Sequence, residues 1–215
     1  SLSEKCLLQN LYKKRISNNN NIVPIYESLT SNTNGEASFA SDDFYGLMDD
    51  NEGNITDSYG GIDIAVGRML ISNTTQADEM VNKVIDYYNK RSYGSWRNNY
   101  VALSDDSDES SDSTLQLRQN RLADEIKVQK PFLNVSKIFL DAYIQEASAG
   151  GQRYPKAKSE FYNEFEKGAL VFNYLGHGGE DGLASERIWD KTDSQNLNNQ
   201  YKYPLFITIT CEFSR

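Results

Sequence analysis

The sequence ALVFNYLGHGG at residues 169–179 decides how this chain folds. Apolar and aromatic residues, broken by one asparagine, lead directly into Gly176 and His177, which is typical of a buried strand that ends in a loop. The sequence PLFITITC at residues 204–211 has the same form, because a nearly continuous apolar and β-branched run ends at Cys211. Such runs are typical of parallel strands that are covered on both faces.

Working outward from these two strands, the rest of the sequence alternates between strand and helix patterns. Alternation of this kind predicts βαβ units and a parallel sheet, and therefore an α/β fold. At the start of the helix predicted for residues 75–88, Thr75 and Asp78 have the spacing of a capping box. Strands are predicted at residues 22–26, 62–66, 100–103 and 135–140, and helices at residues 2–16, 75–88, 114–128 and 156–167.

Composition excludes several classes of function. The 215 residues include 22 Lys and Arg against 31 Asp and Glu, a net charge of −9. This balance disfavours a nucleic-acid binder or a polybasic membrane-surface module, since both depend on clustered positive charge. No apolar run approaches the roughly 20 residues that a membrane-spanning helix needs, so no transmembrane segment is predicted.

The chain has one histidine, His177, and two cysteines, Cys6 and Cys211. A four-ligand zinc site of Cys and His cannot be built from three residues. His177 and Cys211 both follow predicted parallel strands and lie 34 residues apart, which is enough for one crossover and a return strand. We therefore expect both side chains at the same edge of the sheet.

A cysteine beside a histidine can act as a nucleophile. A thiol with a pKa of about 8.5 is little ionised at neutral pH, and a neighbouring imidazole activates it. The backbone N–H groups of Gly178 and Cys211 are candidates for an oxyanion hole. Spacing alone leaves a second interpretation open, in which the cysteine is an inert buried residue and the histidine is structural. A serine hydrolase is less favoured, because no G-x-S-x-G elbow is present.

Several blocks resemble the gingipain-type cysteine peptidases, and within them the PorU-type signal peptidases of the bacterial type IX secretion system. The most specific blocks are NYLGHGGEDGLASERIWD and YPLFITITC; ASDDFYGLMDD, GIDIAVGR and WRNNYVALSDD precede them in the same order as in that family. The resemblance covers residues 39–215.

The resemblance implies a caspase-like α/β fold of three layers with a mainly parallel sheet, and a Cys–His dyad. Cys211 would be the nucleophile, His177 the general base and acid, and Asp63 the carboxylate that assists the histidine. Residues 1–215 would form a partial catalytic domain that lacks the family's first strand and the region after Cys211. A non-catalytic caspase-like module that docks secretion partners is the alternative.

The implied substrates are proteins or peptides, specifically the C-terminal sorting domains of secreted cargo. Cleavage would take place at the bacterial outer membrane surface or outside the cell, together with other type IX secretion components. Transfer of the cargo to a lipopolysaccharide anchor, as by a sortase, is a further implied outcome.

Clustered carboxylates raise the question of a cation. The carboxylates Asp42, Asp43, Asp49 and Asp50 could shape a substrate pocket or bind calcium, although their spacing is not that of a dedicated calcium loop. The loop after Leu103, with Asp105, Asp106, Asp108, Glu109 and Asp112, could hold a hard cation. For both groups solvated loop carboxylates are the favoured interpretation. For Glu186, recognition of a basic group or orientation of His177 competes with a surface role. The sequence requires no cofactor and predicts no metal among the catalytic residues.

Overall fold

A computed structural model describes residues 23–27, 40–50, 61–108, 112–211 and 213. The chain divides into two units, residues 1–80 and residues 81–215. None of the helices in the described ranges is both long enough and apolar enough to cross a membrane. The helix predicted at residues 2–16 lies outside these ranges.

Among the described residues of the first unit, the short strands β1 (Tyr26–Glu27) and β2 (Ala40–Ser41) pair antiparallel. A 3-10 turn at Asp43–Gly46 follows β2. The Arg68 guanidinium donates to both Asp42 carboxylate oxygens at 2.6 Å and to the Pro24 carbonyl at 2.8 Å. Arg68 thus ties three segments of this unit together.

The strand predicted at residues 62–66 is wrong, since this segment is irregular. Its backbone bonds to the 3-10 turn, with the Asp63 N–H donating to the Gly46 carbonyl at 2.8 Å. Ile62 and Ile64 are about half exposed. A β-strand needs a neighbouring strand for its hydrogen-bond ladder. Among the described residues, this segment bonds to the 3-10 turn and pairs with no strand.

Helix α1 (Thr74–Tyr88) runs across the boundary between the two units. Asn73 caps it, because the Asn73 Oδ1 accepts a hydrogen bond from the Gln76 N–H at 2.9 Å. The Gln76 side chain in turn accepts from the Ser72 N–H at 2.6 Å. The capping box predicted for Thr75 and Asp78 is wrong because the helix begins one residue before Thr75.

The second unit contains a four-stranded sheet in the order β11 (Leu205–Ile209), β7 (Val171–Leu175), β3 (Asn99–Ser104) and β4 (Asn134–Phe139), and every neighbouring pair in it is parallel. This confirms the predicted α/β fold with a parallel sheet. In chain order, the elements of the second unit after α1 are β3 (Asn99–Ser104), α2 (Ser113–Gln129), β4 (Asn134–Phe139), β5 (Glu146–Ser148), β6 (Gly151–Arg153), α3 (Pro155–Lys167), β7 (Val171–Leu175), β8 (Gly178–Gly179), β9 (Gly182–Leu183), β10 (Trp189–Asp190), α4 (Lys191–Gln195) and β11 (Leu205–Ile209).

Helices cover both faces of this sheet. Alternate residues of β3 point to opposite sides: Val101 and Leu103 join a core with Phe161 of α3, while Tyr100 joins a second core with Ala123 of α2. The sheet therefore lies between two helical layers, as predicted. Strand β11 differs from the prediction, because alternate residues, Leu205, Ile207 and Ile209, are exposed. Within the described residues β11 is an edge strand covered on one face only.

Candidate active site

The register of two neighbouring strands places His177 and Cys211 at equivalent positions. Leu175, the last residue of β7, pairs with Ile209, the last residue of β11. His177 and Cys211 each follow two residues later, and the Gly176 N–H donates to the Ile209 carbonyl at 3.4 Å. Both side chains thus extend from the same edge of the sheet, at the same level.

The loop after β7 packs directly on the end of β11. A Cβ atom at Gly178 would collide with the Thr210 Oγ1 and lie 3.1 Å from the Cys211 carbonyl oxygen. A larger residue at this position would force the Thr210 side chain to move and would crowd the Cys211 carbonyl oxygen. Gly178, which follows His177, is therefore in contact with Thr210 and with Cys211, the residue that carries the thiol.

Both candidate side chains are accessible. Cys211 is exposed, and the side chain of His177 is 55% exposed. The expectation that Cys211 is buried is therefore wrong, and its reactivity stays a prediction. A peptide could reach the thiol and the imidazole from solvent.

A carboxylate that sequence reasoning did not assign to this role lies against the imidazole. The Asp112 Oδ1 is 3.2 Å from the His177 Nε2, and the Asp112 side chain is only 5% exposed. Asp112 comes immediately before α2, yet its side chain accepts no capping hydrogen bond from that helix. Its carboxylate is instead directed at His177, where it can orient the ring and stabilise a positive charge on it.

Asp63, which the resemblance implies as the assisting carboxylate, lies in the unit formed by residues 1–80. Its Oδ2 accepts a hydrogen bond from the Met48 N–H at 2.9 Å. Its role beside the imidazole stays a prediction.

A second buried carboxylate holds the backbone of the histidine loop. The His177 N–H donates to the Asp105 Oδ2 at 2.8 Å, and the Tyr174 hydroxyl donates to the His177 carbonyl. Asp105 follows the last residue of β3, the strand next to β7. Burial raises the pKa of Asp105 to about 6. Hydrogen bonds to Asp105 and Tyr174 therefore hold the N–H and carbonyl groups of His177 in place.

The acidic loop between β3 and α2 is buried at both of its ends. Asp105, Asp106 and Asp112 are each at most 5% exposed, so the favoured prediction of a solvated loop is wrong for them. Glu186, for which a surface role was one expectation, is 4% exposed. Burial, and next the charge of Asp106, raise the pKa of Glu186 to about 7. Carboxylate oxygens of Asp105, Asp106 and Glu186 lie within 4.8 Å of one another and could hold a metal ion.

The three-layer α/β fold with a mainly parallel sheet is caspase-like, and a histidine and a cysteine follow two of its neighbouring strands. The sequence model of peptidase family C25 matches residues 11–215. The chain therefore belongs to peptidase family C25, the gingipain family, as the sequence blocks predicted.

A solved structure supports the fold independently. The crystal structure of gingipain R, described as an Arg-specific cysteine proteinase, matches with a TM-score of 0.57 and 17% sequence identity. The match covers 80% of this chain and 35% of that chain, so this chain spans about a third of its length. No protein among the curated ones matches the chain significantly.

Proposed function

We propose that this chain carries the catalytic centre of a cysteine endopeptidase, with Cys211 as nucleophile and His177 as general base and acid. The observation that supports it best is the equivalent position of the two residues after β7 and β11. The contact of Gly178 with Thr210 and Cys211 adds a second, independent constraint on their proximity. Membership of peptidase family C25 supports the same chemistry.

In the proposed mechanism, each ring nitrogen of His177 interacts with a different partner, Asp112 or Cys211. Because Asp112 faces the Nε2, the Nδ1 is the atom that takes the proton from the Cys211 thiol. The thiolate attacks the peptide carbonyl carbon, and the N–H groups of Gly178 and Cys211 are assigned to the developing oxyanion. The imidazolium then donates its proton to the leaving amine, which breaks the C–N bond and leaves a thioester on Cys211. Water or an amine nucleophile resolves this acyl-enzyme.

The proposed substrates are the C-terminal sorting domains of cargo exported by type IX secretion, cleaved at the bacterial outer membrane surface. The family and the order of the sequence blocks support this assignment. Incubation of the full-length protein with purified cargo should release the sorting domain, with the cleavage point read by mass spectrometry. Cargo that stays intact while binding the protein would favour the docking module instead.

Covalent labelling tests the dyad without knowledge of the natural substrate. A peptidyl acyloxymethyl ketone should alkylate Cys211 in the folded protein at neutral pH, because the imidazole supplies a thiolate there. The same reagent should react far more slowly with the protein in urea, where the pair is separated. Equal rates in the folded and unfolded protein would show that Cys211 is an ordinary thiol and would contradict the proposal.

Replacement of Gly178 by alanine should slow this labelling by about 10- to 100-fold, since displacements near 1 Å have effects of that size. The added methyl group would collide with the Thr210 side chain and crowd the Cys211 carbonyl oxygen, so the histidine loop or the residues after β11 must shift. Gly179→Ala is a matched control, because a Cβ there meets no atom within 4 Å. Equal labelling rates for the two variants would contradict the close approach of the loop to Cys211.

A further inference from the structure

We infer that the free edge of β8 binds the part of the substrate that follows the scissile bond, through a hydrogen bond from a substrate N–H to the Gly178 carbonyl. The substrate residue that donates is the second one after the scissile bond, P2′. This inference rests on the proposed function and deepens it, because it names the substrate class. The substrate is an extended polypeptide that is cut at an internal bond and has a free N–H at P2′.

The order of the small sheet leaves one side of β8 unpaired. Among the described residues its strands have the order β10-β9-β8, so β8 pairs with β9 on one side and is an edge strand on the other. Gly178 and Gly179, which form β8, are both partly exposed. An unpaired strand edge is a surface to which an extended peptide can add as a further strand.

The peptide group between His177 and Gly178 fixes the direction of the Gly178 N–H. The His177 carbonyl points to the β9 side, where it accepts a hydrogen bond from the Ala184 N–H at 2.9 Å. This peptide group is trans, and the C=O and N–H of a trans peptide point in opposite directions. The Gly178 N–H therefore points away from β9, toward the free edge, in agreement with its assignment to the oxyanion.

The Gly178 carbonyl points in the same direction as its N–H. Pairs with and without hydrogen bonds alternate along an antiparallel ladder, and His177 with Ala184 is a bonded pair. The next pair, Gly178 with Leu183, is therefore not bonded. In agreement, the Leu183 carbonyl accepts from the Ile188 N–H at 3.0 Å, on the β10 side. The Gly178 carbonyl is thus directed at the free edge.

The free edge of β8 lies within reach of the nucleophile. In the described part of the chain, no loop backbone group donates a hydrogen bond to the Gly178 carbonyl. A Cβ atom at Gly178 would lie 3.1 Å from the Cys211 carbonyl oxygen, so the backbones of these two residues are in contact. A peptide that is bonded to Gly178 therefore lies beside the residue that carries the thiol.

The leaving group determines which part of the substrate meets β8. In the proposed mechanism His177 donates a proton to the leaving amine, so the first residue after the scissile bond, P1′, lies against the imidazole. Strand β8 begins directly after His177 and is therefore on the leaving-group side. The Gly178 N–H holds the carbonyl of P1, the residue before the scissile bond. In a parallel ladder one residue bonds to two residues that are two positions apart, so the Gly178 carbonyl receives the P2′ N–H.

Recognition at this edge does not depend on substrate side chains. Strand β8 consists of two glycines, so it offers backbone hydrogen bonds and no side-chain pocket. We therefore expect wide tolerance at P2′ with one exception. Proline has no N–H and should not be accepted there.

Hydrolysis of internally quenched peptides tests the P2′ contact. The full-length protein is given a peptide that spans the cargo cleavage point, either unchanged or with an N-methyl group at P1, P2′ or P3′. Methylation at P2′ removes the donor to Gly178, and kcat/KM should fall by about 10-fold. Methylation at P3′ is the matched control, because the P3′ N–H of an extended strand points away from β8.

Protein variants identify the acceptor. In Gly178→Ala the histidine loop or the residues after β11 must shift, and the loss caused by P2′ methylation should disappear, since groups in direct contact are not additive. Gly179→Ala should keep the full loss. Gly179 pairs with Gly182 of β9, and a Cβ at this position meets no atom within 4 Å.

The outcomes separate this inference from the proposed function. Equal losses on methylation at P2′ and P3′ would overturn the inference and leave the peptidase standing. A loss at P1 in place of P2′ would show that the substrate runs antiparallel to β8 and would overturn it as well. The acyloxymethyl ketone carries no residue after the scissile position, so it tests the dyad separately. Equal labelling of Cys211 in folded and unfolded protein, with no peptide cleaved, would overturn the proposed function and this inference with it.

Discussion

Replacement of Cys211 by alanine is expected to lower the peptidase activity of the full-length protein by about three orders of magnitude or more. Loss of the nucleophile removes the covalent route altogether, and the remaining groups of the site supply only weak residual catalysis. Steady-state hydrolysis of a cargo-derived fluorogenic peptide measures this loss. His177→Gln should have an effect of similar size, because the two residues act as a unit and their losses are not additive.

The other cysteine provides the control for this measurement. Cys6 lies outside the described residues, and Cys6→Ala should retain both hydrolysis and alkylation at the rates of the unchanged protein. Full activity in Cys211→Ala would refute the nucleophile assignment. Activity lost in both variants, with circular dichroism unchanged, would refute the assignment of the chemistry to Cys211 alone.

Replacement of Asp112 by asparagine is expected to lower kcat by about 100-fold, the second largest effect. The carboxylate 3.2 Å from the His177 Nε2 favours both the correct tautomer and the imidazolium, and an amide does neither. A purely structural loss would lower activity equally at every pH. The loss of an imidazolium partner should also move the alkaline limb of the kcat/KM profile to lower pH, since His177 then loses its proton more easily.

Two further variants show whether Asp112 is the carboxylate that matters. Asp124 lies on α2, the helix that follows Asp112, and pairs with Lys137, so Asp124→Asn should leave the pH profile unchanged. Asp63→Asn tests the residue implied by the family resemblance. A shifted profile in Asp63→Asn and an unshifted one in Asp112→Asn would reverse the assignment made from the geometry.

Strand and helix positions in the second unit were largely predictable from the sequence. Runs such as VFNYL and LFITI have an apolar and β-branched character that few other structures accommodate, and they form β7 and β11. The segment at residues 62–66 has similar composition and forms no strand. Composition does not reveal whether a neighbouring strand is present, and here the segment bonds to the turn at Asp43–Gly46 instead.

The side chains of the acidic loop show where sequence reasoning ended. The serines and aspartates of this loop predict exposure to solvent, because carboxylates that repel one another are stabilised by water. The structure buries Asp105 and Asp112 because each meets one specific partner in the histidine loop, the His177 N–H and the His177 Nε2. Partners 65 or more residues away leave no periodic signal in the sequence.

The sequence by itself determined the parallel sheet, the family, and the position of the only histidine and of Cys211 after two strands of that sheet. These follow from local patterns, since strands that pair in parallel bring their carboxyl ends to one edge of the sheet. The tertiary structure alone decided which carboxylate faces His177 and that Glu186 joins Asp105 and Asp106. Those contacts depend on the path of loops between strands, and identical charges along a loop do not reveal which of them the chain folds inward.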